Sequence, residues 1–340
     1  MLGPVSDRIG RVPVLRAAAL VSLAATAVLM ADDLWALYAG RLLAGVASGA
    51  AFAAGTAWVD ELSSAPWDPR APAGSGARRA AMSLTAGFGL GPVVAGLLGQ
   101  WAPAPLTTAY IPHLVLGVAV LVPLWRTPET VTGGHARPGL RVRSATDRRF
   151  RGGVAPVAPW VFGAATVSIA VLPGLVTATT PGWTVAFNAL IAGVTLGTGF
   201  AVQPLGRRLA AADPRRGVAV GLGAILLGML VAAGAAATSS PVLVAAAAAV
   251  LGGGYGCSLV SGLLQTQRIA PRRAGRLTAV YYALTYVGFA APVVLAALAY
   301  WAPYPVLLLV LAGLALVTLA VAVLPRRSDQ VSRFLCRTDG

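Results

Sequence analysis

Arg41 is the residue least at ease in its surroundings. It lies eight residues into the apolar run Leu34 to Val59, in the pattern Arg41-x-x-x-Gly45-x-x-x-Gly49, about 10 Å from the end of a helix rising ~1.5 Å per residue. Insertion scales put an arginine at the centre of a spanning helix at roughly 2.5 to 3.5 kcal/mol, and such residues face a cavity or a partner unless they snorkel to the interface. Other polar side chains within apolar runs include Thr56, Asn188, Gln203, Gln265, Tyr282, Thr285 and Tyr286. Asn, Gln and Tyr there offer donors, acceptors and aromatic surface suited to bulky apolar or cationic molecules, or else hydrogen bonds between helices. Asn188, Gln265 and Tyr282, with Arg41, are the candidate cavity residues. A denser charged pattern, Gly3-x-x-x-Asp7-Arg8-x-Gly10-Arg11, precedes the first apolar run. Its Asp7 can pair with arginine or cap a helix, and Arg8 and Arg11 can contact carboxylates or lipid headgroups. Asp60 and Glu61 end the run that holds Arg41, where they read as a solvated cap.

Enzyme chemistry finds no comparable support. His113 and His135 are separated by a helix and fall on opposite sides of the membrane it would cross, so no metal cluster or histidine dyad can be built from them. The glycines of Gly87-Phe88-Gly89 and Gly252-Gly253-Gly254 lie inside such runs, without the final glycine or the lysine that a nucleotide loop needs. No cofactor is expected.

The elements that would position these groups are membrane helices. The 340 residues are 57% hydrophobic and 11% charged, with a mean hydropathy of +0.76, far from soluble averages. Ten apolar runs are each near or above spanning length: Val14 to Ala31, Leu34 to Val59, Ala80 to Gln100, Thr108 to Trp125, Val157 to Val176, Trp183 to Gln203, Val218 to Thr238, Pro241 to Gln267, Leu277 to Tyr300 and Pro305 to Leu324. The connections alternate between short ones without arginine and arginine-rich ones. The chain has no lysine, and every arginine except Arg41 lies in the opening segment, the connections on that same side, or the tail. The net charge of +15 is therefore topological. It places both termini in the cytoplasm and is not a nucleic-acid surface, since no arginine-rich stretch carries interleaved aromatics for stacking.

The chain also repeats itself. At an offset of 200, Pro92-Val93-Val94, Leu98, Trp101-Ala102-Pro103 and Pro105 fall on identical residues from Pro292 to Pro305. At 207, Gly45, Gly49 and Gly55 fall on Gly252, Gly256 and Gly262, while Arg41 falls on Ala248. Six helices separate the copies, an even number, so the repeat is parallel. The second copy opens with two spans that the first lacks, because Gly3-Pro4 corresponds to Gln203-Pro204. The expected architecture is all-α and membrane-integral: a four-helix bundle over 1–126, a linker over 127–156, a six-helix bundle over 157–325 and a tail over 326–340.

The loop Gly3-x-x-x-Asp7-Arg8-x-Gly10-Arg11 resembles the loop signature of the major facilitator superfamily. Val12 departs from it where the family usually has a basic residue, and Arg207 stands where the second copy would need the acid. Gly87-x-x-x-Gly91-Pro92-x-x-Ala95-Gly96 resembles the family's antiporter signature, with Ala95 where a glycine is common. With Gly45 and Gly49, these small residues would let helices pack closely, and Pro92 can bend its span. The resemblance implies a transporter of two rocking bundles, with the loop as cytoplasmic latch and Arg41 as a membrane-embedded arginine associated with proton coupling. It further implies a monomer in the cell membrane, exporting a small, amphipathic, drug-like substrate on the proton gradient. Importer and non-drug exporter readings share the same motifs, and a truncated, non-transporting membrane protein is the alternative class.

Overall fold

A computed structural model describes residues 3–31, 33–72, 75–131, 147–269 and 274–323, and among these there is no strand. The chain divides into two compact units, Met1–Leu140 and Arg141–Gly340. Ten helical stretches of the described residues are long and apolar enough to cross a membrane: Arg11–Leu29, Leu34–Leu62, Arg78–Trp101, Pro105–Arg126, Phe150–Thr179, Thr184–Ala212, Arg215–Thr238, Pro241–Ile269, Val280–Leu298 and Tyr304–Val323. They match the ten apolar runs with shifted ends. The centre of the 127–156 stretch and the tail beyond 323 lie outside the described residues, and His135 with them.

The first unit contains α1 (Gly3–Ile9), α2 (Arg11–Leu29), α3 (Leu34–Leu62), α4 (Ser75–Trp101), α5 (Pro105–Thr108) and α6 (Ile111–Arg126). Helices α2 and α3 form its centre. Val14 and Ala18 pack on Ala50 and Ala54, and Gly40 is so close to Leu29 and the Ala25 carbonyl that a Cβ would lie 2.5 Å from Leu29 Cγ. Asp33 starts α3 by accepting a hydrogen bond from the Ala36 N–H at 2.9 Å, which satisfies one of the free donors of the first turn. Helix α4 runs unbroken through Pro92, whereas the left-handed Ala104 (φ 49°) sets off α5 before α6.

The second unit begins with a turn at Phe150–Val154 and α7 (Ala158–Thr166), whose helix widens over Val167–Val171 and tightens into a 3₁₀ segment at Leu172–Thr179. The uniform helix expected over Val157 to Val176 is thus irregular, because Pro173 supplies no N–H to the ladder. Then follow α8 (Thr184–Ala201), α9 (Gln203–Ala212), α10 (Pro214–Thr238), α11 (Pro241–Ile269), α12 (Ala274–Tyr286), a 3₁₀ turn at Val287–Ala290 ahead of Pro292, α13 (Ala291–Leu298) and α14 (Tyr304–Val323). Helix α10 is the axis of this unit. Its Leu222, Ile225 and Met229 are buried with Ala247, Leu251, Leu308 and Ala312. Gly217 and Gly221 admit Ser261 and Ser258 of α11. Phe150 and Val154, inside the expected linker, are buried with Leu277 and Tyr281.

Candidate functional site

The charged loop of the first unit folds around Gly10. Its φ of 103° lies in the region that only glycine occupies readily, and a Cβ there would come within 2.4 Å of Glu129 Oε2. The turn exposes the first N–H groups of α2, and the Glu129 carboxylate covers them. Oε1 accepts from Arg11 N at 2.9 Å and Oε2 from Val12 N at 2.9 Å. The same carboxylate accepts from its own neighbours, Thr130 N and Val131 N, each at 3.0 Å. A negative charge at a helix N-terminus is favourable twice over, through orphan donors and through the helix dipole. Burial alone would push the Glu129 carboxyl up, but the four backbone donors outweigh it and hold it below the usual carboxylate value.

Arg11 then links three elements. Its guanidinium donates to Asp7 Oδ1 at 2.5 Å and Ser6 Oγ at 2.7 Å on α1, and to Glu61 Oε1 of α3 at 2.9 Å. Glu61 also accepts from the Thr130 hydroxyl. Arg11 is nearly covered while Asp7 is half exposed, so the buried end of the network is the Arg11–Glu61 pair. The expectation that Asp7 meets an arginine is realised on Arg11. Glu61 is not the solvated cap that its position suggested: it is the acid that ties α3 to the loop. Arg8 is exposed, and Gly3 begins α1. Nearby, Arg16 stacks over the Trp125 ring at 4.8 Å and donates to its carbonyl at 2.8 Å, fastening α2 to the end of α6. Ser6, Glu129 and Thr130 carry no periodic signal in sequence; the trace they leave is Pro128-Glu129-Thr130 directly after an apolar run.

Arg41 lies on the face of α3 opposite its packed residues Gly40, Ala47, Ala50 and Ala54, and it is exposed. Gly45 and Gly49 share that face. A Cβ added at either, or at Gly87 or Gly91 of α4, would meet nothing within 4 Å. The close helix approach expected at these glycines is therefore not made within this unit, where Gly40 and Gly117 serve that purpose instead. Pro92 and Gly96 are only partly covered. Across the same faces Phe52 stacks on Phe88, centroids 5.8 Å apart.

In the second unit the three candidate polar residues do not converge. Asn188 is exposed near the start of α8, at the arginine-poor end. Gln265 sits near the arginine-rich end of α11, beside Gly153. Tyr282 packs against Tyr281, 5.8 Å between rings. What does converge at mid-span is aromatic. Phe162 of α7 lies 4.9 Å from Phe289, 5.5 Å from Tyr286 and 6.1 Å from Tyr255. The cluster is set by a tight contact in which a Cβ on Gly288 would lie 2.3 Å from Gly163 N and Pro159 O, with Thr166 donating to the Gly288 carbonyl at 3.2 Å. Phe289 and Tyr286 stay about half exposed. Tyr282 and Tyr286 stand out in the sequence as polar residues within a span; Phe289, three residues further on, does not, and neither do Phe162 and Tyr255, which belong to other helices.

Ten helical stretches of the described residues able to cross a membrane, a charge-linked loop at the arginine-rich end of one unit and an aromatic surface within the other mark a multi-pass membrane protein. The family model of the Major Facilitator Superfamily matches residues 1–291. The chain belongs to that superfamily, whose members move small molecules across membranes.

Proposed function

We propose that the protein is a proton-coupled exporter of small amphipathic molecules, working by alternating access as a monomer in the cell membrane with both termini cytoplasmic. The observation that carries this reading is the aromatic surface of Phe162, Tyr286 and Phe289, the last two of which are half exposed. It lies at mid-span with no charged side chain among its members, and suits a bulky apolar or cationic molecule. Four bundle helices over 1–126 and six over 157–325 would rock about the substrate. The loop Gly3, Asp7, Arg8, Gly10, Arg11 would latch the cytoplasmic side, held by Glu61 and Glu129. Arg41 would supply a fixed positive charge toward substrate or proton carrier, and Gly87, Gly91, Pro92 and Gly96 the antiporter-like helix.

The test is uptake of a fluorescent lipophilic cation into inverted vesicles energised by a proton gradient. Phe162→Ala should lower the rate at least tenfold at unchanged protein level. Gradient-independent uptake, or uptake indifferent to Phe162, would overturn the reading.

A further inference from the structure

The two units balance their charge differently. Over 1–140 nine arginines stand with seven acids, whereas over 141–340 seventeen stand with four. Of those four, Asp329 and Asp339 lie in the tail among four arginines of its own. Asp147 accepts from Arg149 N at 2.7 Å and Asp213 from Arg215 N at 2.9 Å. In the first unit Asp7 and Glu61 gather around Arg11. The repeat puts arginine in both of their places: Arg207 falls on Asp7 at the offset of 200, and Arg268 falls on Glu61 at 207. A network that neutralises itself in one unit is thus a set of like charges in the other.

Helix α9 ends the membrane span Thr184–Ala212, and one of its faces is sealed. A Cβ on Gly206 would lie 3.3 Å from Cys257 Cα of α11, and one on Gly217 of α10 would lie 3.3 Å from Ala210 Cβ. The other face carries Leu205, half exposed, with Arg208 beside it three residues on and Arg207 next to that. Arg216 follows in the first turn of α10, and Arg268 stands in the last turn of α11. All four arginines are exposed, and none meets an acid among the described residues. An apolar side chain beside unpaired guanidiniums, at the end of a span, suits a molecule that joins an acyl chain to a phosphate. The guanidinium fork matches the phosphate oxygens two at a time. The acyl chain gives Leu205 a partner, which a free phosphate would not.

We propose that Arg207, Arg208 and Arg216, with Leu205, form a binding site for an anionic phospholipid, and that Arg268 extends its positive rim. The bilayer supplies to the second unit the negative charge that Asp7 and Glu61 supply to the first from within the chain. The lipid requirement therefore belongs to the second unit. It does not depend on what the protein transports or in which direction.

Native mass spectrometry of the full chain, released from detergent containing equal amounts of phosphatidylglycerol and phosphatidylcholine, reads the site directly. The protein should retain phosphatidylglycerol about tenfold over phosphatidylcholine. Arg207→Gln/Arg208→Gln should lower that preference about fivefold. Arg70→Gln/Arg78→Gln removes the same charge from exposed arginines of the first unit and should leave the preference unchanged. Leu205→Asn should weaken retention with every arginine in place, and an excess of glycerol phosphate, the headgroup without its chains, should not displace the lipid. Gel filtration confirms that each variant is folded before it is compared. Equal losses in the two double variants would reduce the effect to bulk charge and overturn the site. Displacement by glycerol phosphate, or retention indifferent to Leu205, would overturn the lipid as its occupant.

Discussion

Helices α3 and α11 carry glycines in the same register, and the two units use them in opposite ways. In α11, a Cβ on Gly252 would lie 2.2 Å from the Thr195 carbonyl oxygen, and one on Gly256 1.9 Å from that of Gly199. These glycines exist so that α8 can lie against α11. Their counterparts Gly45 and Gly49 face open space, and no described helix of the first unit takes the place of α8 against them. The difference continues at the next position on the stripe. Arg41 is exposed, whereas its counterpart Ala248 is fully buried. An identical glycine spacing thus makes a packing seam in one unit and an open face with a charge in the other. Small residues permit close approach, but a partner helix must be present before the permission means anything.

The largest test of this contrast exchanges the residues that differ. Ala248→Arg would force a guanidinium into a core with no acceptor and no path to water, and should leave no folded protein by fluorescence-detected gel filtration. Arg41→Ala should insert as well as the native chain or better, since it removes a residue costing roughly 2.5 to 3.5 kcal/mol on insertion scales, while gradient-driven transport is lost. Native-level transport by Arg41→Ala would return Arg41 to the role of a snorkelling residue.

Next in size is a single methyl group. Gly256→Ala presses on a backbone oxygen that cannot rotate away, and overpacking of this kind costs about 1–3 kcal/mol. Gly49→Ala should stay within about 0.5 kcal/mol of the native protein. Thermal unfolding of both variants in the same detergent measures the pair. Equal destabilisation would mean that the Gly49 face is packed in the membrane after all.

The loops that enter the matching helices α2 and α10 sharpen the comparison at lower cost. Helix α10 is capped by its own Asp213, which accepts from Arg215 N at 2.9 Å. Helix α2 instead receives Glu129 from the far end of α6, across Gly10. Removing either cap should cost about 1 kcal/mol, but only Glu129→Ala should also raise cysteine accessibility at Ser6, because only that cap joins distant elements. The pH dependence follows in sign. The Glu129 carboxyl is held below its unfolded value, so its stabilisation is complete above the ordinary carboxylate value near ~4.3, declines as pH falls below that, and is gone once pH passes the lowered folded value. Acid unfolding should begin at higher pH in Asp7→Asn/Glu129→Gln than in the native protein only if the loop, and not the aromatic unit, opens first.

How much of this was legible in the sequence depends on the range of the interaction. The ten spans follow from the length of apolar runs, and an arginine partner for Asp7 follows from the arginines beside it in the same short loop, though which of them it meets is set by the turn at Gly10. Glu129 was invisible as a cap because its partners are 117 and 118 residues away, and Glu61 was misjudged because a span-ending acid looks alike whether it meets water or Arg11. The cavity residues fared unevenly for the same reason. Tyr282 and Tyr286 were marked by their polarity within a span, but Phe289, Phe162 and Tyr255 carry no such mark, and Phe162 meets Phe289 and Tyr286 only where Gly163 packs on Gly288. Asn188 and Gln265, chosen for polarity alone, ended at opposite ends of the unit.

The smallest effect is expected at the third pair of repeated glycines, and it should have opposite signs in the two units. In α3, a Cβ on Gly55 would lie 3.6 Å from Leu15 Cδ2, an ordinary van der Waals contact. Alanine there adds apolar contact and removes the conformational freedom that makes glycine a poor helix residue, a gain of roughly 0.5–1 kcal/mol. In α11, a Cβ on Gly262 would lie 2.4 Å from the Tyr281 hydroxyl oxygen. That ring cannot yield, because it is fully buried and its hydroxyl donates toward the Leu259 carbonyl at 3.1 Å and the Ser258 carbonyl at 3.3 Å. Gly55→Ala should therefore raise the melting temperature slightly while Gly262→Ala lowers it. A fall in both would show that the first unit closes around α3 as tightly as the second closes around α11, and the contrast between the two glycine faces would not survive it.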